Sequence, residues 1–135
     1  MINSISISTI VHATEDFEKV KIAMLNLIPE NLRALCEITK VSAKGHHGNP
    51  ILLLSINFKT SELASEIFKY IINSLSKINI SLIKNNPSLY SDENFIFLRL
   101  DKQAAYNGIL RLSLSDDVIK VKISVSNPME VLQKL

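Results

Sequence analysis

The chain has 135 residues, one cysteine, and a formal net charge of +2 with three histidines left neutral. That length suits one domain spanning residues 1–135 that buries roughly two-thirds of the surface its unfolded chain exposes, so neither disulfides nor a structural metal are required. The mild charge excludes a general polyanion binder and leaves only local basic clusters to contact nucleic acid. A single Cys36 permits no internal disulfide, and no apolar run reaches the ~20 residues of a membrane helix. The N-terminus lacks the basic start of a signal peptide, so the expected location is cytoplasmic. Apolar residues make up 47% of the chain, slightly rich for a small monomer, which hints at a subunit interface.

Ile5, Ile7 and Val11 alternate with Ser4, Ser6 and Ser8, the pattern of a half-buried strand. Thr14 reads as a helix N-cap with Glu15 and Asp16 in the first turn. Phe17, Val20, Met24 and Leu27 follow at helical spacing until Pro29. Leu32 to Val41 reads as a second strand, with Ala34, Cys36 and Ile38 on one face. Gly45 to Pro50 is a loop, and Ile51 to Phe58 a third strand, antiparallel to the second. Thr60 or Ser61 caps a helix whose apolar ladder is Leu63, Ile67, Ile71 and Leu75. Ser76 to Asn86 reads as a short helix, although its β-branched residues oppose that. Phe95 to Leu100, Ile109 to Ser115 and Val118 to Val125 read as three more strands, and Pro128 opens a short terminal helix. The predicted fold is α+β, a two-layer sandwich of a mostly antiparallel sheet with helices on one face, in the order βαββααβββα.

A turn at Asp116-Asp117 pairs Leu114 with Ile119, Leu112 with Val121 and Leu110 with Ile123, which gathers the apolar residues on one face. That register sets Arg111 opposite Lys122. The outer face then carries Arg99, Arg111, Lys120 and Lys122 with Phe95 and Phe97, a mixture suited to phosphates and stacked bases of RNA. The competing reading is an ordinary solvated face whose phenylalanines pack under a second layer or a partner. Lys44, His46 and His47 form a second basic cluster in a glycine-flanked loop that can approach a phosphate, or simply a hairpin turn. Asp101 can cap one helical turn, from which Lys102, Gln103 and Tyr106 project as further RNA contacts; equally, Ala104, Ala105 and Tyr106 can pack that turn onto the core.

No metal-ligand spacing, nucleotide-binding glycine pattern or nucleophile–base pair is present, so no catalytic residues, metal or cofactor are expected. Four segments together resemble an archaeal family of predicted RNA-binding proteins or predicted exosome subunits. They are Val11-His12-Ala13-Thr14-Glu15-Asp16, Gly45-His46-His47-Gly48-Asn49-Pro50, Phe97 to Tyr106, and Asp117-Val118-Ile119-Lys120-Val121-Lys122-Ile123. The resemblance covers nearly the whole chain. It implies a fold similar to a ribosomal protein that contacts the small ribosomal RNA of the large subunit, an RNA-related role, association with an RNA-processing complex, and homodimers. One departure is Ser76 to Asn86, poorer in charge than is usual for the family. The expectation is a non-catalytic RNA-binding accessory protein; the alternative is a protein–protein adaptor that uses the same outer sheet face without RNA.

Overall fold

The structure is a computed structural model describing residues 1–135. The serine–isoleucine alternation forms strand β1 over Ile2–Val11, burying Ile5, Ile7, Thr9 and Val11 on one side. Helix α1 spans Phe17–Leu25, and its N-cap is Asp16, whose carboxylate accepts from the Glu18 amide. Thr14, the expected cap, instead lies in the turn that begins when the Glu15 amide bonds to the His12 carbonyl at 2.9 Å.

The expected strand from Leu32 is absent. Pro29 fixes its own φ and starts a 3-10 turn over Glu30–Leu35, held by the Leu32 amide on the Pro29 carbonyl and by Arg33 Nε on the Ile28 carbonyl. Only Leu32 of that turn is buried. Strand β2 begins later, at Thr39–Lys44, and forms an antiparallel hairpin with β3, Pro50–Phe58. Gly48 makes the tip feasible, because its φ of 78° is open to glycine at little cost.

Helix α2, Ser61–Ser74, lays Ala64, Ile67, Phe68 and Ile71 on the sheet. Each large side chain so buried contributes about 1.5–3 kcal/mol. Helix α3, Lys77–Asn85, does form: the Ser76 hydroxyl accepts from the Asn79 amide and offsets the β-branched residues behind it. Strand β4, Phe95–Asp101, ends where Asp101 caps the one-turn helix α4, Lys102–Tyr106. Strand β5, Val118–Val125, and helix α5, Pro128–Gln133, complete the chain. The sheet order is β2-β3-β1-β5-β4, with every neighbouring pair antiparallel. Helices cover one face, giving the expected two-layer α+β architecture. No helix is long and apolar enough to cross a membrane.

The terminal register departs from expectation. Strand β5 pairs with β4, Leu98 opposite Val121 and Leu100 opposite Ile119, and not with residues 109–115. Those residues run instead along the outer edge of β4, joined by one bridge between Leu100 and Leu112 and by the flanking bonds of Asp101 and Ser113 amides to the Arg111 and Arg99 carbonyls. Two apolar ladders of equal period competed for β5. The ladder on β4 pairs with it over seven residues, from Phe95 to Asp101. Leu114, by contrast, is 95% exposed and has nothing to pair for. Strand β4 therefore separates Arg111 from Lys122, and their expected side-by-side placement does not occur.

Candidate nucleic-acid interface

Residues that alternate with the core positions point away from the helices and form an uncovered sheet face. The strand registers arrange them in rows. One row crosses the sheet as Thr39, Ser55, Ser8, Lys120 and Arg99; the next runs Asn57, Ser6, Lys122 and Phe97; a third carries Ser4, Ser124 and Phe95. Serines along β1 leave the middle of the face low. Cations and rings rise on the β5–β4 side, and Ile10, Leu53 and Val41 form an apolar row on the other. None of the outward residues in these rows is acidic.

The aromatic and basic groups on β4 and β5 contact one another. Lys122 Nζ lies 4.2 Å from the Phe95 ring centroid and 5.9 Å from that of Phe97. The two rings sit 6.0 Å apart, tilted. Such cation–π contacts are worth ~0.5–1 kcal/mol at exposed sites and hold Lys122 upright. Arg99 and Lys120 are directly opposite on neighbouring strands, a like-charge pair. Arg99 donates to the Ser115 carbonyl at 2.8 Å and lies 3.9 Å from the freely exposed Asp116 carboxylate. Between the cationic and apolar sides lies a depression of about 600 Å³.

Of the remaining expected contacts, only Lys102 borders the depression, and its charge is already engaged. Lys102 is only 3% exposed, which corrects the expectation that it projects toward RNA. Its ammonium donates to the Ile10 carbonyl at 2.8 Å, to Glu15 Oε1 at 3.0 Å, and forms an ion pair with Asp117 Oδ1 at 3.0 Å. All three of its donors are thereby used. Gln103 is likewise engaged, its Nε2 donating to Asp117 Oδ2 at 3.0 Å. Tyr106 is partly exposed on α4, which packs against α1 in the helix layer. Arg111 is exposed on the outer edge of β4. His46 and His47 are exposed at the β2–β3 tip, their rings edge-on at 4.8 Å, and alternation turns Lys44 toward the helix side. That tip is three to four strand spacings, roughly 14–19 Å, from β4.

His12, Glu15 and Asp117 place ligand atoms within 4.8 Å of one another, but the Lys102 ammonium already bonds to both carboxylates. Burial acts to raise the Asp117 carboxyl. Hydrogen bonds from Gln103 and Lys102 and the positive charge of Lys102 outweigh it and hold that carboxyl below the usual aspartate value. Burial pushes the Cys36 thiol up, against the opposing charge of Arg33, so it is a poor nucleophile. The sequence reading passed over the serine floor and the Ile10–Leu53–Val41 row. The signal for the floor was in view, serine at every second position of β1. The row needs the strand registers before it can be seen.

Residues 4–125 match the family described as RNA binding. An uncharacterised protein of Methanocaldococcus jannaschii is 40% identical over 123 residues, which is 89% of this chain and 82% of that one. An RNA-binding protein of Pyrococcus abyssi is 35% identical over 125 residues, 91% of this chain and 81% of its own. Among solved structures, a DUF54 protein of Sulfolobus solfataricus superposes with a TM-score of 0.82 at 30% identity, covering 98% of this chain and 96% of that one.

Proposed function

The chain belongs to the RNA-binding family, and from that premise we propose that it is a non-catalytic RNA-binding protein whose contact surface is the uncovered sheet face. The observation that carries this reading is electrostatic. Arg99, Lys120 and Lys122 stand together on the outward face, with the exposed Asp116, 3.9 Å from Arg99, as their only ion-pair partner, in a chain whose Lys+Arg and Asp+Glu totals are 15 and 13. Near-balanced charge that is sorted in this way makes a local anion-binding surface without general polyanion affinity. The Pyrococcus abyssi relative's name supports RNA as the anion. An accessory role in RNA processing or on ribosomal RNA rests on the sequence resemblance alone, whereas self-association into a homodimer rests on that resemblance and on the 47% apolar content of the chain.

Titration of fluorescently labelled RNA at several salt concentrations tests the proposal. Affinity that falls as salt rises is expected. Absence of binding near physiological salt, for single-stranded and structured RNA alike, would remove it. Sedimentation at micromolar concentration tests the homodimer separately, and a monomer mass would count against it.

A further inference from the structure

The depression on the open face has cations on β4 and β5, the hydroxyls of Ser8 and Ser55 beside them in the same row, and an apolar patch in the next row along β1, β3 and β2. We propose that it receives one unpaired ribonucleotide: phosphate on Arg99 and Lys120, ribose over Ser8 and Ser55, base against Ile10, Leu53 and Val41. This rests on the RNA-binding reading above and narrows its ligand to single-stranded RNA.

The cationic side is built in a way that calls for an anion. Arg99 and Lys120 are direct cross-strand partners of the same sign, an unfavourable pairing unless a negative group lies between them. Lys120 has no ion-pair partner, and the carboxylate nearest Arg99 is Asp116 at 3.9 Å, on a fully exposed side chain that contributes little. A phosphate can take two hydrogen bonds from the guanidinium and a third from the ammonium. Asp116 then acts as a weak internal competitor for the phosphate position.

The floor follows from the same register. Ser8 is the partner of Lys120 on one side and of Ser55 on the other, so two small hydroxyl side chains lie next to the cations. A ribose set there presents its 2′-hydroxyl, donor and acceptor at once, to groups of the same kind. The next row offers the base a surface. Val41 partners Leu53, and Leu53 partners Ile10; they are 51%, 38% and 36% exposed. From β5 to β2 is three strand spacings, about 14 Å, a span that phosphate, sugar and base can bridge together. The depression of about 600 Å³ lies in the usual range for small-ligand pockets. A paired base keeps its faces in the duplex stack and has none to offer the apolar row, whereas an unpaired base has. The patch has no polar groups arranged to read base edges, so sequence preference is weak.

The test is fluorescence anisotropy of the full chain with a labelled oligouridylate, the matching oligothymidylate, and an RNA duplex of equal length. Tighter binding to the single-stranded RNA than to either of the others is expected. Asp116→Asn tightens that binding at least twofold, while Glu93→Gln, the same charge change at the opposite end of the sheet, leaves it unchanged. Val41→Thr with Leu53→Asn weakens binding severalfold at an unaltered salt slope, because base contact and not phosphate contact is lost. Thermal melts confirm that the variants, all at exposed positions, stay folded. Duplex bound as tightly as single strand, or Asp116→Asn no different from Glu93→Gln, overturns the pocket while leaving RNA binding in place. Failure to bind any RNA overturns the underlying reading instead.

Discussion

Lys102 is the residue on which three distant segments close. Glu15 lies 87 residues away, yet its carboxylate and that of Asp117 both meet the Lys102 ammonium at 3.0 Å, while the Ile10 carbonyl takes its third donor. Glu15 and Asp117 keep 20% and 45% side-chain exposure, so removing the lysine strands two carboxylates only partly in water. Lys102→Met, similar in length but uncharged, is expected to destabilise the fold by about 2–3 kcal/mol at neutral pH, at or just below the low end for broken buried pairs. The Asp117 carboxyl is held below its ordinary value of about 3.9. Its share of stability is therefore present above that value and lost as pH falls through the lower folded-state value. The Lys102→Met deficit should be full at pH 7 and shrink toward pH 3, measured by urea midpoints at the two pH values. A deficit that does not change with pH would mean that Asp117 is not the partner. The sequence showed Asp101 as the cap of α4 and so located the turn. It could not show the direction of Lys102, because that depends on carboxylates brought in by β1 and β5.

At the scale of elements, the informative contrast is between β4 and the extended segment 109–115. Both carry leucine or isoleucine at every second residue, and period alone cannot tell which pairs with β5. The strand chosen is the one that pairs with β5 over its whole length, from Phe95 to Asp101. The other is left as an edge, held by one bridge. A pair of substitutions separates the two arrangements. Leu110, 5% exposed, should cost about 2–4 kcal/mol when replaced by Ala. Leu114, 95% exposed, should change stability by less than about 0.5 kcal/mol as Leu114→Ser. The hairpin expected from the sequence predicts large losses at both, so equal losses in chemical denaturation would restore it. Elements defined by local chemistry were legible: β1 from its alternation and α2 from its ladder, whereas the Ser76 cap that starts α3 went unread and that helix was expected only against its β-branched residues. The region from Leu32 to Ile38 was not, because the alternation of Ala34, Cys36 and Ile38 mimics a strand while Pro29 starts a 3-10 turn that claims Leu32.

For the whole molecule, what matters is where the charge lies. The net charge of +2 predicts little affinity for nucleic acid, but three cations share one face, with only the exposed Asp116 in ion-pair range of any of them. If Arg99 and Lys120 share one phosphate and Lys122 takes a second, the logarithm of the binding constant should fall with the logarithm of salt at a slope near −1.4, from ~0.7 per neutralised phosphate on a single strand. Lys122→Gln removes one contact and should make the slope shallower by about 0.7. It also gives up the contact with Phe95 at 4.2 Å, so a stability loss of ~0.5–1 kcal/mol should accompany it. Lys69, exposed on α2 in the helix layer, serves as the comparison. Lys69→Gln changes net charge equally but lies on the other side of the sheet, at least one sheet-to-helix layer away. Because exposed charges farther apart than a Debye length of about 10 Å at 0.1 M salt are largely screened, its slope should match that of the unaltered protein. Salt titrations of the three proteins with one labelled single strand decide the matter. If Lys69→Gln flattens the slope as much as Lys122→Gln does, the contact is diffuse and the open sheet face loses its claim. If only Lys122→Gln does so, three side chains sorted onto one face are enough to give a nearly neutral protein a defined RNA surface.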